Sequence, residues 1–153
     1  MIDLFEGANR FLSNFHEHPI TYNGVIYPSS EHAYQAAKFA DVSDRQHVAA
    51  MPTPNDSKEM GRKADLSKLS FHWDTEKYGI MREILSIKFE LGTELASRLM
   101  DTGDHALVEG NYWHDTYWGV CYGKCRRGPH SADGTNHLGV LLMCQREELF
   151  SLR

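Results

Sequence analysis

A chain of 153 residues that is 41% hydrophobic and 11% aromatic can bury a real core, which excludes a disordered segment and a disulfide-held miniprotein. Its formal charge of −5 argues against a dedicated binder of long nucleic acid, where the balance is usually basic. No apolar run approaches the roughly 18 residues that cross a bilayer, and Met1-Ile2-Asp3-Leu4-Phe5-Glu6 lacks the basic start and apolar run of a signal peptide, so the expectation is one domain over residues 1–153, cytoplasmic and without a membrane partner.

Residues 1–28 read as loops and short strands. Pro19-Ile20-Thr21-Tyr22 and Val25-Ile26-Tyr27 flank Asn23-Gly24, whose residues both tolerate the positive φ of a tight hairpin turn. Pro28-Ser29-Ser30 ends the second strand and offers a serine N-cap for a helix over 31–39, rich in Ala, Gln and Lys. A short helix is predicted over 44–51. Another opens at Thr53-Pro54, with Asp56 placed to cap backward, and closes near Gly61. The clearest helical period lies over 74–91, where Ile80, Ile84, Ile87 and Leu91 recur at four, three and four residues before Gly92 stops the run. A further helix is predicted over 93–100. Ala106-Leu107-Val108 and Tyr117-Trp118-Gly119-Val120 read as strands, 121–135 as a loop rich in Gly, Arg and polar residues, and about 134–149 as a last helix carrying Leu138, Leu141, Leu142 and Leu149. The fold class expected is α+β, a mainly helical single domain with a few short strands.

On a helix, residues 31, 35 and 38 fall within about 60° of one another, so Glu31, Gln35 and Lys38 share a face, with a rise of roughly 10 Å from first to last. A carboxylate and an ammonium that far apart can bracket one ligand; the competing reading is a surface helix with solvated charges. Glu31 lies in the first turn, where free N–H groups and the helix dipole favour an anion. Beside a ribose, such a carboxylate can stabilise positive charge at C1′ or orient the attacking water.

Lys88 shares a face with Met81 and Leu85. Either its stem packs on the core with the ammonium in water, or it supplies a cation for a phosphate or ribose oxygen. Tyr112, Trp113, Tyr117 and Trp118, with Asp115 among them, and Phe11, Phe15 and Phe39 can stack on a base or fill the core. Trp118-Gly119 and the basic run Lys124-Cys125-Arg126-Arg127 have the composition of a phosphate cradle and the spacing of no nucleotide motif. Three cysteines, Cys121, Cys125 and Cys144, do not make a disulfide framework. Cys121 and Cys125 can start a metal site, but no matching Cys/His pair sits at zinc-like spacing, and His32 after Glu31 lacks the second His of a zinc-protease helix. No metal and no cofactor is expected.

Together these segments resemble the NADAR family, from about Phe11 to Leu149. The resemblance is carried by separated blocks in order: Phe11-Leu12-Ser13-Asn14-Phe15; Tyr27-Pro28-Ser29-Ser30-Glu31-His32-Ala33-Tyr34-Gln35-Ala36-Ala37-Lys38-Phe39; Met60-Gly61-Arg62; Trp73; Met81-Arg82 with Lys88-Phe89; Leu107-Val108-Glu109; Asp115; Trp118-Gly119; and Asn136-His137-Leu138-Gly139-Val140-Leu141-Leu142-Met143. It implies an N-glycosidase acting on ribosylated amines. Two substrate classes come with it: ADP-ribose on the amino group of guanine in nucleic acid, and phosphoribosylamino-pyrimidine intermediates of riboflavin synthesis. The family's catalytic glutamate maps onto Glu31, its lysine onto Lys38 and its tryptophan onto Trp118. Asn14, Arg62, Lys88, Asp115 and Asn136 fall on the implied ligand wall, to which Phe15, Gly119 and Arg126 are added as candidate ligand contacts.

The chain departs from the family pattern between Trp118-Gly119 and Asn136, where it is longer and holds Cys121, Cys125, Arg126 and Arg127. It also has Asn-His-Leu-Gly in place of Asn-Arg-Leu-Gly. The expected partners are an ADP-ribose or phosphoribosyl substrate, including ADP-ribosylated DNA or RNA. A module that only binds NAD or ADP-ribose is the reading from another class, and it has no use for an acid/base pair aimed at C1′.

Overall fold

The computed structural model describes all of Met1–Arg153. Six short strands and six α-helices follow one another as β1 (Glu17–Tyr22), β2 (Val25–Ser29), α1 (Ser30–Ala36), α2 (Val42–Ala49), α3 (Pro54–Gly61), α4 (Trp73–Lys88), α5 (Glu94–Asp101), β3 (Gly110–Asn111), β4 (Val120–Cys121), β5 (Lys124–Cys125), β6 (Gly128–Pro129) and α6 (His137–Leu152), with 3₁₀ turns at Gly7–Leu12 and Leu66–Lys68. This is the mainly helical α+β class expected. The chain separates into two compact units, Asn14–Lys88 and Met1–Ser13 with Phe89–Arg153. No helix is long and apolar enough to cross a membrane.

In the Asn14–Lys88 unit, β1 and β2 form the antiparallel hairpin that Asn-Gly predicts, with Asn23 at φ 49° and Gly24 at φ 82°. Pro28 and Ser29 do not end the strand, because Ser29 still pairs with Glu17. The register slips between Glu17 and Ile20, around Pro19, which has no N–H to give the ladder. Ser29 is nonetheless the N-cap of α1: its Oγ accepts the His32 N–H at 3.2 Å.

Every residue of α1 is buried, among the hairpin, α2, α3 and α4. That overturns the surface-helix reading: Ala33 and Ala36 are small enough to let neighbouring backbones close in on all sides. α1 also ends at Ala36, short of the predicted Phe39. The chain tightens there into i→i−3 bonds, Lys38 N–H to Gln35 O at 3.1 Å and Phe39 N–H to Ala36 O at 3.0 Å. α3 is capped as its sequence predicts, with Thr53 Oγ1 accepting the Asp56 N–H at 3.1 Å and donating to Asp56 Oδ2 at 2.9 Å.

α4 corrects the apolar stripe. Its buried residues are Trp73, Met81, Ile84, Leu85 and Lys88, whereas Ile80 and Ile87 are half-buried and Leu91 lies exposed beyond the helix end. A count of apolar residues rotates the helix away from its inner face because a lysine belongs to that face.

The other unit packs α5 against α6. Thr93 caps α5 by accepting the Ala96 N–H at 3.2 Å. Leu138, Leu141, Leu142 and Leu149 of α6 are buried as expected. Arg146, on the same helix, is only 3% exposed; its guanidinium donates to Thr102 Oγ1 at 2.9 Å and to His105 O at 2.8 Å. Phe11 meets Phe89 edge-on with ring centroids 6.4 Å apart, and the Arg98 guanidinium sits 4.1 Å over the Phe11 ring.

Strand 106–108 is reduced to a single bridge between Leu107 and Ile2. The strand expected over 117–120 moves to Val120–Cys121, where it pairs parallel with β3, because residues before it are taken up in a turn around Asp115. Within the predicted loop, β5 and β6 form a small hairpin whose two-residue turn is Arg126-Arg127.

α6 begins at His137, not near 134, because Asn136 adopts the left-handed region at φ 52°. Its side chain clamps an extended segment, donating from Nδ2 to Leu107 O and accepting the Glu109 N–H at Oδ1, both at 2.9 Å. Asn136→Ala should lower the free energy of unfolding by about 1–3 kcal/mol, through two unsatisfied backbone groups and a strained alanine. Chemical denaturation reads this directly, and a loss below about 0.5 kcal/mol would show the clamp to be dispensable.

Candidate active site

Glu31 is 8% exposed, in the first turn of α1. The residue before it and its own backbone are tied to Asn14: Glu31 N–H donates to Asn14 O at 3.1 Å, and Ser30 Oγ donates to Asn14 Oδ1 at 2.9 Å. Asn14 Nδ2 in turn reaches Met81 Sδ at 3.5 Å. Asn14 thus fixes the entry to α1 with its two oxygens and turns its Nδ2 toward α4. One helical turn on from Glu31, Gln35 Nε2 donates to Glu31 Oε1 at 2.8 Å. This bond holds the carboxylate in one rotamer.

Gln35 is held in place from behind. A Cβ at Gly61 in α3 would overlap the Gln35 side-chain oxygen. Gly61→Ala therefore pushes Gln35 toward Glu31 or breaks their bond. The expected result is a fall in turnover of about tenfold or more, the scale of a 1 Å misplacement at a reacting centre; steady-state kinetics at unchanged circular dichroism would measure it. Wild-type turnover in the alanine variant would show that Gln35 does not orient the carboxylate.

His32 has both ring nitrogens engaged by neighbouring groups. Its Nε2 lies 3.0 Å from Met51 O and its Nδ1 2.7 Å from Ser29 Oγ, so it donates to the carbonyl and accepts from the hydroxyl. Burial lowers its pKa and keeps it neutral.

Lys38 follows α1 in the tight turn. Its ammonium lies 5.7 Å from the Tyr34 ring centroid and 5.6 Å from that of Trp73, and those rings meet at 5.3 Å. Burial pushes its pKa down, the Glu31 carboxylate pulls it up, and Lys77, Lys58 and Arg62 push it down again. Two aromatic faces thus hold a partly desolvated amine in the electrostatic reach of a buried carboxylate.

Of the other candidate ligand contacts in this unit, Lys88 is 2% exposed, which removes the reading in which its ammonium reaches water. Phe15 is half-buried. Arg62 is exposed and pairs with Glu59 on its own helix, so it acts on Lys38 through its field.

In the other unit, Asp115 Oδ1 accepts the N–H groups of Tyr117 at 3.2 Å and Trp118 at 2.9 Å, which makes it the organiser of the Trp118 turn. Trp118 is half-buried and meets Tyr117 edge-on at 4.7 Å. Gly119 is a packing glycine: a Cβ there would overlap Glu109 O on the neighbouring segment. Asn136 is the clamp described above, and Arg126 is exposed on its hairpin turn. Asp115 Oδ1 and the Asn136 amide thus hold backbone, and Gly119 lets two segments close on each other.

Sequence reasoning left out the Tyr34 and Trp73 rings under Lys38 and the gap at Gly61. It also missed that the ligand atoms of His114, Cys121, Cys125 and His130 all lie within 4.8 Å of one another. The two histidines do not form a pair at zinc-like spacing; one precedes the cysteines and the other follows them.

A buried carboxylate oriented by an amide, with a desolvated amine two turns on, is an arrangement suited to cleaving glycosyl bonds. The NADAR domain model matches residues 4–150. N-glycosidase YbiA of Escherichia coli (strain K12) is 40% identical over 138 residues, covering 90% of this chain and 79% of that protein. The NMR structure of E. coli YbiA superposes with a TM-score of 0.76 at 35% identity, over 99% of this chain and 88% of that one. A riboflavin biosynthesis protein of Vibrio vulnificus is 36% identical over 140 residues, 91% of this chain but 35% of that longer protein. The chain belongs to the NADAR family, and with it to the N-glycosidases, hydrolases acting on N-glycosyl compounds.

Proposed function

We propose that this enzyme hydrolyses the ribose C1′–N bond of ADP-ribose carried on the amino group of guanine, restoring the unmodified base in DNA or RNA inside the cell. The observation that carries the chemistry is the buried Glu31 carboxylate, held by Gln35 at 2.8 Å. In such a site an ionised carboxylate stabilises the oxocarbenium-like charge that grows at C1′ as the bond to nitrogen loosens. The exposed Arg126-Arg127 turn suits a substrate with several phosphates, since guanidinium groups take phosphate oxygens in a fork.

The lowered pKa of Lys38 supports a covalent variant. An N-riboside of an aromatic amine opens to an imine. The neutral Lys38 amine adds to C1′ and the base nitrogen departs with a proton, leaving a lysine Schiff base. Water then adds to that carbon and releases the sugar and the amine, with Glu31 moving the protons. Trp118 enters this reading through the family match alone, as a ring for the substrate.

The match to a riboflavin biosynthesis protein favours a second reading, cleavage of phosphoribosylamino-pyrimidine intermediates. Incubation with an ADP-ribosylated oligonucleotide and, separately, with the pyrimidine riboside distinguishes them. Free ADP-ribose with restored guanine is the expected product, whereas ribose phosphate from the second substrate alone would transfer the assignment. Tight ADP-ribose binding with neither substrate turned over would make the protein a non-catalytic reader.

A further inference from the structure

We propose that His114, Cys121, Cys125 and His130 bind one zinc ion in a closed, four-coordinate structural site. The donor set is two thiols and two imidazoles, and none of the cysteines is in a disulfide. With Zn–S near 2.3 Å and Zn–N near 2.0–2.1 Å, a tetrahedral site has sulfur-to-nitrogen edges of about 3.6 Å. The structure has Cys121 Sγ to His130 Nε2 at 3.6 Å, Cys125 Sγ to His114 Nδ1 at 3.5 Å and Cys125 Sγ to His130 Nε2 at 3.3 Å.

Two thiol protons can pair with two ring lone pairs, Cys121 with His130 and Cys125 with His114, but that leaves the shortest contact, Cys125 Sγ to His130 Nε2 at 3.3 Å, without a proton. His130 Nδ1 lies 2.7 Å from Ser131 O and donates to it, so in the neutral ring Nε2 carries the lone pair. One lone pair faces two sulfurs and can take a proton from only one. A cation between them uses every donor at once, and the His130–Ser131 bond is the outer support that metal-bound histidines usually have. The His114 and His130 rings stand edge-on at 82° with centroids 5.1 Å apart.

The backbone is bent to serve the same centre. His114 sits in the left-handed region at φ 66°, which few non-glycine residues adopt and histidine enters more readily than most. Gly123, at φ 87°, lies so close to the His130 carbonyl oxygen that a Cβ would overlap it. Cys121 is pinned to Asp133 by a pair of hydrogen bonds of 2.8 and 3.0 Å. The strands around the cluster are two residues each, too short to hold themselves. A metal that cross-links this stretch supplies folding free energy.

Two thiolates and two neutral imidazoles balance a divalent charge and favour a borderline-soft ion over magnesium or calcium. Four protein ligands leave no open position, which fits a structural role and makes the site independent of the glycosidase reading.

Elemental analysis of the chain purified under reducing conditions should give about one zinc per chain. Cys144→Ser, altered outside the cluster, should keep that content, and Cys125→Ser and His130→Ala should lose it. Cobalt substituted into the unaltered chain should show thiolate charge-transfer and tetrahedral ligand-field bands, a readout that holds even if the variants fail to fold. Chelation should speed tryptic cleavage at Arg126-Arg127 by about tenfold or more, because metal binding and local folding are one equilibrium. Zinc content no higher in the unaltered chain than in Cys125→Ser, absent cobalt bands, or a Cys121–Cys125 disulfide trapped at lysis would each overturn the proposal.

Discussion

Glu31→Gln should lower kcat/KM for the cleaved N-riboside by about 10² to 10⁴-fold, the usual cost of removing a positioned acid/base group. The substitution keeps the size of the side chain and an oxygen to accept the Gln35 bond, so it removes charge and little else. In a helix buried along its whole length, a larger change would confound the result, since a mis-sized side chain disturbs packing on all sides. The variant should therefore melt close to the parent while turning over far more slowly. Substrate affinity should change less than kcat, because an oxocarbenium charge exists only in the transition state and its loss costs nothing in the ground state. Wild-type turnover in Glu31→Gln would sink the central assignment outright.

Lys38→Ala should be comparably severe if the amine attacks C1′, and pH gives the sharper test. The nucleophile is the neutral amine. Burial lowers the pKa of Lys38, so the rate should rise with pH through that lowered value and level off above it, earlier than an ordinary lysine would allow. Lys77 is among the cations that press the pKa down. Lys77→Met removes that pressure and should move the rising limb to higher pH, with the plateau rate little changed. Borohydride added during turnover should trap a sugar on Lys38. A Lys38→Ala enzyme that retains turnover and yields no adduct would leave direct hydrolysis through Glu31 as the route.

Glu31 and Lys38 are residues whose sequence neighbours already mark them. Ser29 before Ser30, Thr53 before Pro54 and Thr93 before Glu94 cap their helices, because a side-chain oxygen satisfies a free N–H within three residues and needs no distant partner. Asn23-Gly24 sets its turn for an equally local reason, the positive φ that both residues adopt. The leucines of α6 were legible through their period, and the shared face of Glu31, Gln35 and Lys38 follows from helical geometry alone.

Tertiary structure decided the matters that depend on who arrives from elsewhere in the chain. Lys88 and Arg146 lie buried although their type predicts exposure, because each helix's inner face is set by what packs on it and by the partners that compensate a buried charge. α1 stops early because the turn that follows carries Lys38 onto the Tyr34 and Trp73 rings, the latter 35 positions away in sequence. Asn136 holds backbone of Leu107 and Glu109, 29 and 27 positions away, which no local pattern places beside it. The Cys/His cluster is the plainest instance. Its donors are spread over 114–130, and a hairpin with a two-residue turn, not a spacing rule, gathers them into one sphere. Local hydrogen bonding and periodicity are written within a few residues; convergence of side chains needs the chain to fold back on itself.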